Sequence, residues 1–405
     1  MSAEIVSTKG RRVWDSRGRP TVEAEVHLSD GSAGRAIAPA GASTGSAEAV
    51  DLRDGGDAFG GLDVMGAVNA VSGEIADSLL GRDAFDQAGV DQAMIDLDGT
   101  GNRSRLGGNA LVATSMAVAH AAASSAGLPL WRFLGGDEDR YKMPLPEIQI
   151  FGGGAHAGRR VDIQDFMVIA VGAQSYAQSL EWTAEVYRSA GNIMSNAGRL
   201  RGVADEGGFW PDFSTNEEAL DFLVQAIEGA GFTPGEEIAI SLDIAATDFS
   251  MDGLYQLATD DKVVDADGLS DLLLRWLEKY PIVSIEDPLG EDDPEAMAKF
   301  TAAAGSNIQV VADDFICTSA AKIENAVSIG ACNTALIKPN QAGTLTEAKA
   351  ALDAARSAGW DSIVSARSGE SEDVTIVHLA VGWGVKQLKV GSFSRSERMA
   401  KWNEG

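Results

Sequence analysis

Five short apolar runs in the second half of this 405-residue chain end in charged residues. They are IAISLD at Asp243, IVSIED at Glu286 and Asp287, IQVVADD at Asp313 and Asp314, TALIK at Lys338, and QLK at Lys389. Their spacing is about one strand plus one helix, and a parallel β/α barrel gathers the carboxyl ends of its strands on one face. Asp243, Glu286 and Asp313 would meet Lys338 and Lys389 there. Carboxylate oxygens are the ligands Mg²⁺ prefers, and no histidine or cysteine stands beside them to suggest zinc. A single acid at a strand end serves equally well as a helix cap or a salt-bridge partner. Three at successive strand ends favour a metal. Lys338, desolvated and close to a divalent charge, is expected to titrate low enough to act as a general base; the plainer alternative is that it only pairs with the acids. Lys389 suits either pairing or the binding of a substrate carboxylate.

Several loops supply further groups. VADEGGFWP holds Glu206 in a glycine-flanked turn, where backbone can approach a ligand closely. GGGAHA sets His156 in a mobile loop, whereas His27, His120 and His378 fall in strand or helix patterns and suit packing or surface positions. GASTG, residues 41–45, is a glycine-punctuated loop with two hydroxyls that suits a lid, and it lacks the lysine of a phosphate-binding P-loop. SARSGES, after the strand SIV, offers Arg367 and Ser368 as a phosphate clamp, or an arginine that locks loops to acidic neighbours.

The elements that would position these groups read as two domains, 1–134 and 143–405. In the first, TVEAEVHLSD alternates as a half-exposed strand, Asp30-Gly31 supplies a turn, and SAGRAIAPA resumes the meander. NALVATSMAVAHAAASSAGLPLWRFLGG then reads as a buried helix pair ending at Gly135 and Gly136. DEDRYKMPLP is the expected linker. The second domain opens with two strands, PEIQIFGG and DFMVIAVG, then two helices near 174–200 and 216–230, the latter started by Ser214, Thr215 and Asn216. Strict strand–helix alternation is expected from there on, so the barrel opens β-β-α-α. The fold class is α/β: a (β/α)8 barrel behind an N-terminal α+β lid or capping domain.

A formal net charge of −28 argues against nucleic acid or an anionic membrane as partner, and an anionic substrate would need local cations. The only cysteines, Cys317 and Cys332, lie in apolar surroundings and read as core thiols, which fits a reducing cytosol. No run approaches the roughly 20 apolar residues of a membrane span. A cytoplasmic location is the expectation.

In order along nearly the whole chain, DSRGRPTVE, GASTG, GGGAHA, DIQDFM, DEGGF, SLDIAA, SIEDP, ADD, IKPNQAGTLTEA, SARSGESED and SRSERMAKWN resemble the enolase family. A lysine base beside Mg²⁺ is the standing example of that superfamily, so the resemblance implies the same pairing. The resemblance implies that Asp243, Glu286 and Asp313 bind a first Mg²⁺ and that Ser43 meets a second when the lid closes. It implies that Lys338 takes the α-proton of a 2-phosphoglycerate-like substrate, that Glu206 is the acid that helps hydroxide leave, and that Lys389 grips the substrate carboxylate. Arg367 and Ser368 would hold a phosphate, with His156 reaching in and Asp165 part of the catalytic network. A homodimer or homo-octamer is implied as well.

The departures from the family pattern cluster at the phosphate end. Ala366 stands where the family has histidine, Asp165 where it has glutamate, Pro339 where it has Val or Leu, and Gly152 where it has Asn. They resemble the branch of the family that makes carboxyphosphonoenolpyruvate for phosphinothricin-type antibiotics, using a phosphonoformyl group carried on CMP. A small phosphorylated or phosphonate substrate is therefore expected. Two other functions stay open at this point: a glycolytic enolase that tolerates Ala366, and a non-catalytic binding protein on the same fold.

Overall fold

The computed structural model describes residues 3–136 and 141–405; of the expected linker, residues 137–140 lie outside the described residues. Strands β1 (Ile5–Trp14), β2 (Pro20–Leu28) and β3 (Ala33–Ile37) form an antiparallel meander in that order, with the turn at Asp30-Gly31 between β2 and β3. The helix Gly108–Ser125 lies on β2 and β3. Its sequence is small and apolar on every side, and nearly all of it is buried, as a helix without a polar face must be. The chain approaches it so closely at Gly34 that an added Cβ would collide with the Ala117 carbonyl and the Ala121 amide. Gly34→Ala is accordingly expected to destabilise the protein by about 3 kcal/mol in urea titrations, because backbone on both sides leaves no side chain to yield.

The second part is a closed eight-stranded barrel. It opens with β4 (Leu145–Gly152) and β5 (Asp165–Ile169), which pair antiparallel, followed by the helices Tyr176–Asn196 and Asn216–Gly229. The order β-β-α-α is thus observed. Thr215 caps the second helix, its hydroxyl accepting from the Glu218 amide, and Glu217 and Glu218 oppose the helix dipole. β6 (Ala239–Asp243) pairs antiparallel with β5. The strict alternation expected after it is interrupted. A small antiparallel sheet of β7 (Ser250–Met251), β8 (Leu254–Leu257) and β9 (Lys262–Val264) intervenes, its strands too short and too exposed to join the barrel. The parallel strands β10 (Ile282–Glu286), β11 (Gln309–Ala312), β12 (Thr334–Ile337), β13 (Asp361–Ser365) and β14 (Gln387–Gly391) complete the circle, β10 lying parallel to β6 and β14 returning to β4. Among the described residues no helix is long and apolar enough to cross a membrane.

The two parts are joined by polar contacts between buried and part-buried groups. Asp91 accepts from the amide and hydroxyl of Thr346 at 3.0 and 2.6 Å, His120 Nε2 meets the Thr375 hydroxyl at 2.8 Å, and the Leu345 amide donates to Ser115 at 3.0 Å. Of the other histidines, His27 pairs with Glu25, and part-buried His378 pairs with Glu404 and packs edge-on against His120.

Candidate active site

The strand ends converge. Asp243 and Glu286 close β6 and β10 and are direct register partners, while Asp313 and Lys338 each follow their strands, β11 and β12, by one residue. Lys389 lies inside β14, deeper in the barrel than these. Its ammonium stands 2.8 Å from Asp243 Oδ2, 2.8 Å from Glu286 Oε2 and 3.6 Å from Asp165 Oδ2. Lys338 Nζ pairs with Asp313 Oδ2, whose other oxygen accepts from Gln341 Nε2 at 2.9 Å. All five groups are buried. Pro339 begins the short helix that follows Lys338, a position where its missing N–H costs nothing.

A second set faces this one from β4, β5 and their loops. His156 Nδ1 lies 3.0 Å from Asp165 Oδ1, and its Nε2 lies 3.8 Å from Glu206 Oε1. The loop of His156 is a short 3-10 turn, Gly154–Ala157, with the imidazole buried and bonded, in place of the mobile segment expected. Gln149 ties the set together: its amide donates to Asp165 Oδ1, and its carbonyl oxygen accepts from the Gly208 amide at 2.8 Å, in the loop that carries Glu206. Gln164 Nε2 donates to Asp243 Oδ2 at 3.0 Å, which joins the two sets. At Gly152 an added Cβ would come within 2.6 Å of Ala204 Cβ, so the packing of this loop demands the glycine that departs from the family pattern.

Acids outnumber cations in this enclosure, and the charge balance shows it. Burial and Asp243 push Glu286 well above its ordinary range; burial and Asp313 raise Asp287 to about 8 and Asp314 to about 9. Burial alone would raise Asp313, but Lys338 and Arg367 hold it low. Burial would lower Lys338, yet Asp313 and Glu286 outweigh it and the ammonium is raised. Without a cation Lys338 is therefore held protonated, because Asp313 beside it keeps its charge, and the expected depression calls for the divalent charge itself.

The donor set fits Mg²⁺. It is made of carboxylates, and Glu286 Oε1 is buried without a hydrogen-bond partner among the described residues. Asp243, Glu286 and Asp313 would hold such an ion at the barrel mouth. Bound there, it would supply Lewis-acid stabilisation of developing negative charge on a substrate oxygen.

A pH dependence follows from the same groups. Burial lowers His156, but Asp165 and Glu206 more than offset it and raise it to about 9, above its ordinary 6.5. The stabilisation is fully present below pH 6.5 and lost as the pH rises through 9, on the order of 2–3 kcal/mol. Asp287 and Asp314, raised acids, lose stability over the same rise. Metal-free protein is thus expected to be less stable at pH 9.5 than at pH 6.5 by denaturant titration, and His156→Gln should flatten the profile. A wild-type profile that is level or rising across this window would contradict the assignment.

At the anion end, Arg367 follows β13 and is almost fully enclosed. Its Nη1 donates to Glu48 Oε2 at 2.9 Å, and its Nη2 donates to Glu48 Oε1 at 3.0 Å and to the Ser43 carbonyl at 2.9 Å. Arg17 Nη1 reaches the Ser368 hydroxyl at 3.4 Å. The loop of Ser43 is pinned at its base by paired backbone bonds between Ala40 and Gly369, both 2.9 Å. So Arg367, Ser368 and Ser43 do come together, with Arg367 engaged by the loop. Ala366 is buried beside them, its amide donating to the Lys389 carbonyl at 2.8 Å.

Other contributors lie outside the set that the strand ends and loops suggest. Glu147 and Gln149 alternate along PEIQIF, and in a barrel strand that alternation marks an inward polar face, a signal present in the sequence. Asp287 is visible as a strand-end acid, and its role is backbone: it accepts the amides of Asp313 and Asp314 at 2.9 and 2.8 Å and so fixes the Asp313 turn. Arg398 and Lys401 sit in a highly polar final helix, yet both are buried. Arg398 donates to the carbonyls of Arg367 (2.7 Å), Val390 (2.8 Å) and Ser368 (2.6 Å), and Lys401 to that of Ser371 (3.0 Å). Nothing in the pattern distinguishes them from surface charges.

Comparison with known families gives two matches. Residues 5–134 match the model described as the enolase N-terminal domain, and residues 140–404 match the one described as the enolase C-terminal TIM barrel domain.

Proposed function

We propose that this chain, which belongs to the enolase family through both of its parts, removes the α-proton of a 2-phosphoglycerate-like substrate with Lys338 and forms an enolpyruvate product. The observation that carries this is the enclosure itself, in which two buried lysines and three strand-end carboxylates face one another at the barrel mouth. Lys389 takes the substrate carboxylate, Arg367 and Ser368 its phosphate, and Ser43 a second Mg²⁺. A scaffold has no use for so many desolvated charges.

The finer reading is carboxyphosphonoenolpyruvate formation, in which the phosphonoformyl group of CMP-phosphonoformate moves to the C2 oxygen with CMP as leaving group, the phosphoryl group already on that oxygen being released to water as phosphate. It is supported by Ala366, which leaves a methyl group where the family has an imidazole, one residue from Arg367. A second reading, glycolytic dehydration, is favoured by the buried pair of Glu206 and His156, 3.8 Å apart, in which the proton held by His156 can pass through Glu206 to a departing hydroxide. Ultraviolet absorbance of the enol product, with purified protein, Mg²⁺ and 2-phosphoglycerate, separates them. The proposal expects little phosphoenolpyruvate without the donor and product once CMP-phosphonoformate is added. Turnover of 2-phosphoglycerate alone at roughly 10 s⁻¹ or faster, an ordinary enzymatic rate, would overturn the finer reading in favour of the second.

A further inference from the structure

We propose that Glu48 sets which anions this site accepts: it is a built-in carboxylate lying in the fork of Arg367, and a ligand needs a dianionic oxyanion group to take that fork from it. The inference rests on the reading that Arg367 receives the anionic end of the substrate.

Glu48 grips Arg367 through two parallel bonds, 2.9 Å to Nη1 and 3.0 Å to Nη2, the geometry in which a guanidinium would otherwise bind phosphate. Both side chains are shielded, Arg367 at 3% exposure and Glu48 at 8%. The two residues come from different parts of the chain, Glu48 from the segment after the 41–45 loop and Arg367 from the barrel. The same carboxylate also organises that loop. Its Oε1 accepts from the Gly45 amide at 3.1 Å and from Gln341 Nε2 at 3.3 Å, and Gln341 in turn donates to Asp313 beside Lys338.

Charge decides who can occupy the fork. A monoanionic ligand offers the guanidinium the same attraction that Glu48 does, while Glu48 is tethered and therefore present at high effective concentration. A dianion offers about twice the Coulomb attraction and can displace it. If Glu48 stayed in place, an incoming anion would lie against a like charge. Displacement frees the Gly45 amide and the Gln341 amide, so inorganic phosphate, which lacks the rest of a substrate to close the lid on Ser43, loosens residues 42–48 and is felt at Asp313.

The test uses the full-length protein with Mg²⁺ at pH 8. Inorganic phosphate and acetate are titrated by calorimetry into wild type and Glu48→Gln, and amide exchange of residues 42–48 is followed with and without phosphate. The variant is expected to bind phosphate about tenfold tighter, since a tethered competitor has been removed, and to gain measurable acetate binding. Phosphate is expected to speed exchange in the wild-type loop. Unchanged or weaker phosphate binding by the variant would overturn the proposal and make Glu48 a strut that orients Arg367; absence of phosphate binding to both proteins would overturn it too. Should the variant fail to fold, wild-type exchange decides: faster exchange supports the proposal, and unchanged or slower exchange overturns it. Failure of the broader functional reading is read separately, in C2 proton exchange of 2-phosphoglycerate.

Discussion

Lys338→Ala is expected to slow C2 hydrogen exchange of 2-phosphoglycerate by on the order of 10³-fold, the scale of a lost general base. The lysine is the group best placed for this. It follows β12 at the barrel mouth, is buried, and touches one of the acids assigned to the cation. Its ammonium is held protonated by Asp313 in the protein's own field, so exchange in the wild type should rise with pH and with engagement of that acid. NMR observation of the C2 signal in D₂O provides the measurement, and circular dichroism checks that the variant is folded. Exchange within about threefold of wild type would remove Lys338 from the role, since a general base contributes at least about 10²-fold in typical cases.

Lys389→Met is expected to cost about 3–5 kcal/mol of stability in the absence of divalent metal, because it leaves Asp243, Glu286 and Asp165 buried together with their common cation gone. Two of these carboxylates lie only 2.8 Å from its ammonium, and its own proton is held far above the ordinary range once their attraction has overcome burial. Denaturant titration in chelator, then in millimolar Mg²⁺, reads the effect. The metal is expected to restore a large part of the loss in the variant and to add less to the wild type. Equal gains in both proteins would mean that the three acids do not share the site with the cation.

The fold is legible in the sequence because its signals are local. Alternation in TVEAEVHLSD, the all-round small apolar helix at 108–125, and the Thr215 cap each specify one element without reference to the rest of the chain. The strand-end acids are legible for the same reason, since a barrel converts their spacing into proximity. What escapes depends on long-range partners. Arg398 is a buried donor to three carbonyls of β14 and the 367–368 turn, a role that exists only once those carbonyls are in place. Gln149 likewise becomes a strut only when Asp165 and Gly208 come to either end of its amide. The raised proton affinity of Lys338 in the metal-free protein likewise depends on partners distant in sequence, Asp313 and Glu286, which outweigh its burial.

The most direct measurement is wash-out of the C2 hydrogen of 2-phosphoglycerate in D₂O by wild-type protein, followed by NMR with Mg²⁺ and again with chelator. Exchange is expected to depend on the divalent cation and to occur whether or not product accumulates. No exchange in the presence of Mg²⁺, or equal exchange in chelator, would contradict the claim that Asp243, Glu286, Asp313 and Lys338 work as one proton-abstracting, metal-holding site.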